Sequence, residues 1–397
     1  MLSRLSKRSA SIEASVTLTI SSTAKALKAE GHPVISFGAG EPDFDTPEYI
    51  KFAAKRAIDD GFTKYTPSAG IIELKNAICE KLKVDNSLDY NPSQIVVSNG
   101  AKHSLYNAIF AICDEGDEVI VFSPYWVTYI EQIKLAGAVP VVVETKGADN
   151  FRIDFAKLFE KITAKTKAII INSPSNPTGV VYSEEELKKL ADIAIAKDFY
   201  IISDEIYEKI IYDAKHFSIA IFSDEIKDRT IVINGVSKAY SMTGWRIGYL
   251  AAPQDIASAI NNVQSHMTSN AGSVSQKASL AAISEEYLFE ENNIKFQERR
   301  DYMVEKLNSL TGLECPTPQG AFYVFPDISK YLGKTVDGEK INNTVDFCRL
   351  LLEKEKIAVI PGDAFGDVSC IRFSYATAMS DIKEGLDRFE QFLKTIN

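Results

Sequence analysis

The chain has 397 residues, 45% apolar and 25% charged, the make-up of a folded globular protein with length for two domains or one large α/β unit and a satellite. Lys plus Arg is 44 and Asp plus Glu is 54, a formal charge of −10 that argues against non-specific nucleic-acid binding, and no run approaches the ~18 apolar residues of a membrane span. Scattered cysteines (Cys79, Cys113, Cys315, Cys348, Cys370) without a Cys-x-x-Cys pair, and histidines remote from them, argue against a disulfide scaffold and structural zinc, so no metal is expected.

In chain order, the opening MLSRLSKRSASIEASVTLTI is Ser-rich and basic, but Glu13 interrupts it and neither an apolar core nor a cleavage site follows. The cytoplasm is therefore expected. A helix is predicted over 22–30, then the turn-rich VISFGAGEPDF. Seven short β-branched runs follow: 95–100, 118–124, 139–145, 168–174, 199–205, 230–235 and 246–252. Most are continuously apolar, as strands buried on both faces are. Helical stretches lie between them, among them 101–113 and 184–198, the second preceded by a capping-box pattern at Ser183 and Glu186. This alternation specifies an α/β fold, a mainly parallel seven-stranded sheet covered by helices. A charged helical stretch from about 284 leads to predicted strands at 322–328, 357–362 and 370–376 and helices at 344–353 and 380–394. The reading is a large domain over 46–289 and a smaller α+β domain built from 290–397 with the N-terminal arm, 1–45.

Polar residues gather where the strands end, and in a parallel sheet those ends form the ligand crevice. Lys238 is the focal residue, either a surface lysine or a nucleophile able to form a Schiff base. Arg246 has the fork geometry for a phosphate, and the backbone amides of Gly100, Ala101 and Lys102, where a strand opens into a helix, make a natural second half of a phosphate cup. Ser237 offers a further donor. Asp204 ends an apolar strand as a metal or charge partner, a helix cap, or the partner of a pyridinium nitrogen. Tyr207 and Asn176 suit a ring hydroxyl and Trp126 a stacked ring, although each also has an ordinary packing explanation. Arg372, flanked by apolar residues in CIRFSYA, needs an anion if buried, either a substrate carboxylate or a structural salt bridge.

The motifs GAGEPDFDTP, KYTPSAG, SNGAK, SPYW, NSPSNPTG, SDEIYE, GVSKAYSMTGWRIG, PQGAFYVF and RFSYA run in order along nearly the whole chain. With them the sequence resembles the class I pyridoxal-phosphate aminotransferases of fold type I, in particular the bacterial aspartate aminotransferase subgroup that also holds prephenate aminotransferases. The resemblance implies that Lys238 carries pyridoxal 5′-phosphate and serves as the base at the substrate Cα. It pairs Asp204 with the pyridine nitrogen, Tyr207 and Asn176 with the ring oxygen, Trp126 with the ring face and Arg246 with the phosphate. Arg372 is implied to grip the substrate α-carboxylate, helped by Asn176 and the backbone near Gly40. Tyr65 is implied to reach the phosphate of a neighbouring subunit, hence a homodimer with shared sites.

The activity so implied is transfer of the amino group of L-aspartate to 2-oxoglutarate, giving oxaloacetate and L-glutamate. In the aspartate-type subgroup a lysine matching Lys102 resembles a sensor for the distal carboxylate. Glu13 and Ala14 depart from the Lys-Pro pair of many relatives, leaving Thr17 as the expected contact from the arm. An aromatic, alanine or prephenate aminotransferase is the main alternative, and a carbon–sulfur β-lyase a weaker one. A non-catalytic regulator lacks spare length for a DNA-binding segment, and a dinucleotide-binding dehydrogenase lacks an early G-x-G-x-x-G.

Overall fold

The computed structural model describes residues 4–285 and 289–397. Seven strands form the central sheet: β1 (Ile95–Ser98), β2 (Glu118–Ser123), β3 (Val139–Glu144), β4 (Thr166–Asn172), β5 (Tyr200–Asp204), β6 (Thr230–Gly235) and β7 (Gly248–Ala251). They lie in the order β1-β7-β6-β5-β4-β2-β3. Neighbours run parallel except around β7, which is antiparallel to both β1 and β6. The other parallel connections pass through helices, whereas 236–247 contains only the short turn Thr243–Trp245 and folds straight back. That reversal puts the start of β7 beside the ends of β1 and β6, with Gly248 opposite both Ser98 and Gly235.

Burial on both faces explains the continuous apolar runs. Val119 and Val121 pack on one side with Leu105 and Ile109, while Ile120 and Phe122 pack on the other with Leu187 and Leu190. Each such side chain contributes roughly 1.5–3 kcal/mol on burial. The helix Glu184–Lys197 starts where its capping box predicts: Ser183 Oγ accepts from the Glu186 N–H at 3.2 Å and Glu186 Oε2 accepts from the Ser183 N–H at 2.9 Å.

A second core surrounds Phe37, Phe296, Phe347, Phe373 and Phe389, all buried. The N-terminal segment belongs to it, because Ile35–Ser36 pairs in parallel with Ile357–Ala358. Beside it, Ile371–Ser374 pairs antiparallel with both Ile360–Pro361 and Tyr323–Val324. The helices Phe289–Ser309, Thr344–Glu355 and Met379–Lys394 cover these strands.

Three elements differ from the sequence reading. The helix read at 22–30 spans Val16–Ala29, since the β-branched VTLTI that disfavours helix in isolation packs Ile20 against a smaller apolar cluster of Phe151, Phe325, Ile360 and Phe365. The run 322–328 forms only a two-residue strand, as Pro326 has no N–H for a ladder. The run 357–362 splits into two strands that serve different neighbours. Of the segments read above, 1–3 and 286–288 lie outside the described residues. No described helix is long and apolar enough to cross a membrane.

Candidate active site

The ends of β5 and β6 and the start of β7 meet at one edge of the sheet, and the strand-end residues singled out above converge there. Lys238 follows β6 in a tight turn in which the Met242 N–H donates to Ser237 O at 3.0 Å. Its ammonium donates to Gly40 O, the contact that ties the N-terminal segment to the lysine. The rings of Tyr207 and Phe322 stand 5.8 and 5.9 Å away. Burial, with added repulsion from Arg372 and Arg246, lowers Lys238 to about 8 against the pull of Glu41 and Asp204. Ser237 is buried beside it.

Asp204 closes β5 in the protein interior. Tyr129 donates to its Oδ2 at 2.6 Å and the Ile206 N–H to its Oδ1 at 3.3 Å. Burial raises the carboxyl to about 6 in spite of these donors. Just past it, Glu205, Glu208 and His216 draw together, but Ser203 and Ser218 donate to Glu205 while Lys81 and Asn86 donate to Glu208. Their oxygens are taken up by an internal ion-pair network.

Arg246 precedes β7 and is held by Thr243 O at 2.8 Å and Asn99 O at 3.5 Å. Its guanidinium lies against Gly100, where an added Cβ would fall 2.3 Å from Nη2. Gly100, at φ +87°, turns β1 into the helix Ala101–Ile112. The N–H groups of the first helical turn, at Ala101 and Lys102, have no intrahelical acceptor. A guanidinium beside a helix N-terminus is an anion site in charge and geometry.

Arg372 enters from the second core. Its side chain is 2% exposed, donating to Asn176 Oδ1 at 2.9 Å and Gly38 O at 3.0 Å, while Nε has no partner. The guanidinium lies 4.5 Å from the ring centroid of Tyr323 and 5.1 Å from that of Phe365. No carboxylate among the described residues pairs with it, and burial lowers its basicity. The structural salt bridge held open above is thus absent. Asn176 links the two cores, accepting from Arg372 while its own N–H donates to Asn172 Oδ1 at 2.8 Å.

Trp126 lies edge-on to Tyr129 at 5.4 Å and carries the Lys102 ammonium over its ring at 4.8 Å. Burial first, and Arg246 second, lower Lys102. Trp126, Tyr129, Asn172 and Asn176 line one cleft. Two expected residues stand apart. Among the described residues the Thr17 hydroxyl meets only that of Ser15, at 2.9 Å, and Tyr65, 92% exposed, has no hydrogen bond or ring contact. Glu13 donates its backbone N–H to the Glu131 carboxylate at 3.2 Å.

Two residues were missed. Tyr129 sits in the first turn of the helix Thr128–Leu135, its N–H donating to Trp126 O at 3.0 Å, and its place just after SPYW was a usable signal. Tyr323, in FYVF, is indistinguishable by pattern from a core aromatic; its hydroxyl lies 2.9 Å from that of Tyr207.

A model of the family "Aminotransferase class I and II" matches residues 32–389. The aspartate aminotransferase of Bacillus subtilis is 48% identical over 98% of this chain and 99% of its own length. An aspartate/prephenate aminotransferase of Cereibacter sphaeroides is 46% identical over 98% of each. Among solved structures, the aspartate aminotransferase of Rhizobium meliloti superposes with a TM-score of 0.95 at 42% identity, covering 100% of both chains. That of Thermus thermophilus with maleate gives 0.93 at 40% identity, covering 98% of this chain and 100% of the other.

Proposed function

The chain belongs to the class I and II aminotransferases, and from that premise we propose that it moves the amino group of L-aspartate to 2-oxoglutarate, yielding oxaloacetate and L-glutamate, with pyridoxal 5′-phosphate as cofactor. The observation that carries the reading is Arg372, a buried cation whose hydrogen-bond partners are neutral oxygens only. Such a group is stable in use when an anion arrives, and a substrate α-carboxylate matches its two-pronged geometry.

The residues fit the cofactor. Lys238 is an amine partly neutral near pH 8, Asp204 a deep carboxyl, and Arg246 with the amides near Gly100 and Ala101 a cationic cup. When bound, pyridoxal phosphate supplies an aldehyde for the substrate amine and a ring that takes up the electron pair left as Cα loses its proton. Asp204, ionised above about pH 6, would keep the ring nitrogen protonated. Tyr207 and Asn176 would hold the ring oxygen, Trp126 would offer its face, and Ser237 would assist Arg246 at the phosphate. Arg372 and Asn176, with the backbone at Gly40, fix the α-carboxylate. Lys238 Nζ would then take the proton from Cα over a short path and return it on the far side of the substrate nitrogen, a 1,3 shift.

Lys102, raised over Trp126, is assigned to the distal carboxylate of the substrate, an assignment in keeping with the maleate of the Thermus thermophilus relative. The exposure of Tyr65 supports a homodimer in which it completes the partner's phosphate site. We read 46–289 as the cofactor-binding body and 1–45 with 290–397 as the smaller body that carries Arg372. A second reading, prephenate as an additional acceptor, is favoured by the name of the Cereibacter sphaeroides relative.

The test is a coupled assay of the cofactor-loaded protein, following oxaloacetate by its reduction with NADH and malate dehydrogenase. Oxaloacetate formation that requires both L-aspartate and 2-oxoglutarate is the expected result. Pyruvate and ammonia released without any oxo acid would replace the reading with a β-lyase.

A further inference from the structure

Tyr323 is fully buried on the two-residue strand that pairs with Ile371–Ser374, opposite Ser374. Two of its contacts, of different kinds, bear on the site. Its ring faces the Arg372 guanidinium at 4.5 Å. Its hydroxyl lies 2.9 Å from the Tyr207 hydroxyl, with the two rings edge to face at 5.9 Å. A cationic group over an aromatic face is attracted to it, so the ring supports the arginine from below.

The hydroxyl pair has a definite proton count. Each phenol carries one proton, and burial holds both in the neutral form. Across the 2.9 Å contact one hydroxyl donates and the other accepts. If Tyr207 donated to Tyr323, it would have no proton left for the site, and the Tyr323 proton would need another acceptor, which the described residues do not supply. If Tyr323 donates, its proton is used and the Tyr207 proton is left free for an acceptor that enters the site beside Lys238, whose Nζ lies 5.8 Å from the Tyr207 ring centroid. Donation also polarises the accepting hydroxyl and makes it a stronger donor in turn.

We propose that Tyr323 is a positioning residue that donates to Tyr207, thereby directing the single Tyr207 proton to the cofactor ring oxygen, and that its ring separately supports Arg372. The inference rests on the aminotransferase reading, because it needs an acceptor in front of Tyr207. It gives one side chain of the smaller body a hold on both the substrate-carboxylate clamp and the ring clamp.

The test compares wild type, Tyr323→Phe, Tyr323→Leu, Tyr207→Phe and the double variant Tyr207→Phe/Tyr323→Phe, each loaded with pyridoxal phosphate and checked for folding by thermal melting. Two readouts besides turnover are taken: the pH midpoint of the bound cofactor's visible absorbance, and the Kd of the apo protein for the cofactor. Weakening one hydrogen bond to the ring oxygen moves the midpoint in Tyr323→Phe by about half to one pH unit. The KM for the amino donor stays within about twofold in Tyr323→Phe, where the ring remains, and rises about tenfold in Tyr323→Leu, where the face under Arg372 is lost. With Tyr207 already replaced, Tyr323→Phe adds no further midpoint shift. A loaded Tyr323→Phe protein with an unmoved midpoint, or a shift that persists undiminished in the double variant, overturns the proposal. A wild-type protein with no visible band after cofactor addition fails earlier, and what fails is the aminotransferase reading.

Discussion

Arg372→Met removes the guanidinium and leaves an unbranched chain of similar reach, and the structure gives its two consequences opposite weight. In the ligand-free protein the arginine is buried against two neutral oxygens with Nε unpaired. Desolvating a charge costs several kcal/mol, and the two hydrogen bonds return about 1 kcal/mol each. Replacement therefore relieves a cost while stranding Asn176 Oδ1 and Gly38 O, and the net change in stability is within about 1 kcal/mol, or roughly 2–3 °C in Tm. Catalysis has no such compensation. Loss of a buried, two-pronged carboxylate contact costs about 3–5 kcal/mol, or roughly 10²–10⁴ in kcat/KM. That loss falls alike on L-aspartate and 2-oxoglutarate, since both present the same α-carboxylate. Steady-state kinetics with each substrate and thermal melting with and without maleate measure both arms. A Tm lowered by about 8 °C or more with kcat/KM down less than tenfold would make Arg372 a structural brace and refute the reasoning.

Three further outcomes are expected. Tyr129→Phe deletes a donor to the Asp204 carboxylate; a hydrogen bond to the charged form holds a carboxyl down, so its loss raises Asp204 above about 6 and shifts the acid limb of kcat/KM to higher pH by about one unit, as a pH–rate profile reads directly. The apo protein takes up pyridoxal phosphate through neutral Lys238, lowered to about 8, so the uptake rate in stopped flow levels off above about pH 8–9; a rise continuing past pH 10 would mark an ordinary lysine. Lys102→Ala lowers kcat/KM for L-aspartate by about 10–100-fold and leaves L-alanine within about twofold, since only the former has a second carboxylate to lose; equal losses on both would remove Lys102 from substrate selection.

The strands were readable because burial on both faces demands unbroken β-branched runs, and all seven runs between 95 and 252 became strands of one sheet. Their directions were less so. Nothing in RIGYLAA distinguishes β7 from the parallel strands of the sheet; the clue was the connection from Gly235 to Gly248, whose small and polar residues offer no pattern for a crossover helix. Lys238, Asp204, Arg246 and Arg372 stood out because a charge in an apolar or small-residue context demands a partner. Tyr129 and Tyr323 did not, since an aromatic in an apolar run satisfies packing as well as chemistry, and only their hydroxyl partners separate the two uses. The early start of the Val16–Ala29 helix was hidden for a related reason: its β-branched residues favour strand locally, and only the tertiary contact of Ile20 reverses the preference. Thr17 and Tyr65 came from resemblance alone, and on a single chain neither meets the other site residues.

The most direct test of the central claim is the absorption spectrum of the cofactor-loaded protein after single additions of L-aspartate, L-phenylalanine, L-alanine and L-arogenate, with no oxo acid present. A visible band that bleaches far faster with L-aspartate than with the others, and returns on addition of 2-oxoglutarate, is the result this account predicts. Faster bleaching by L-phenylalanine or L-arogenate would contradict the aspartate assignment, and a protein with no visible band after pyridoxal phosphate is added would contradict the enzyme itself.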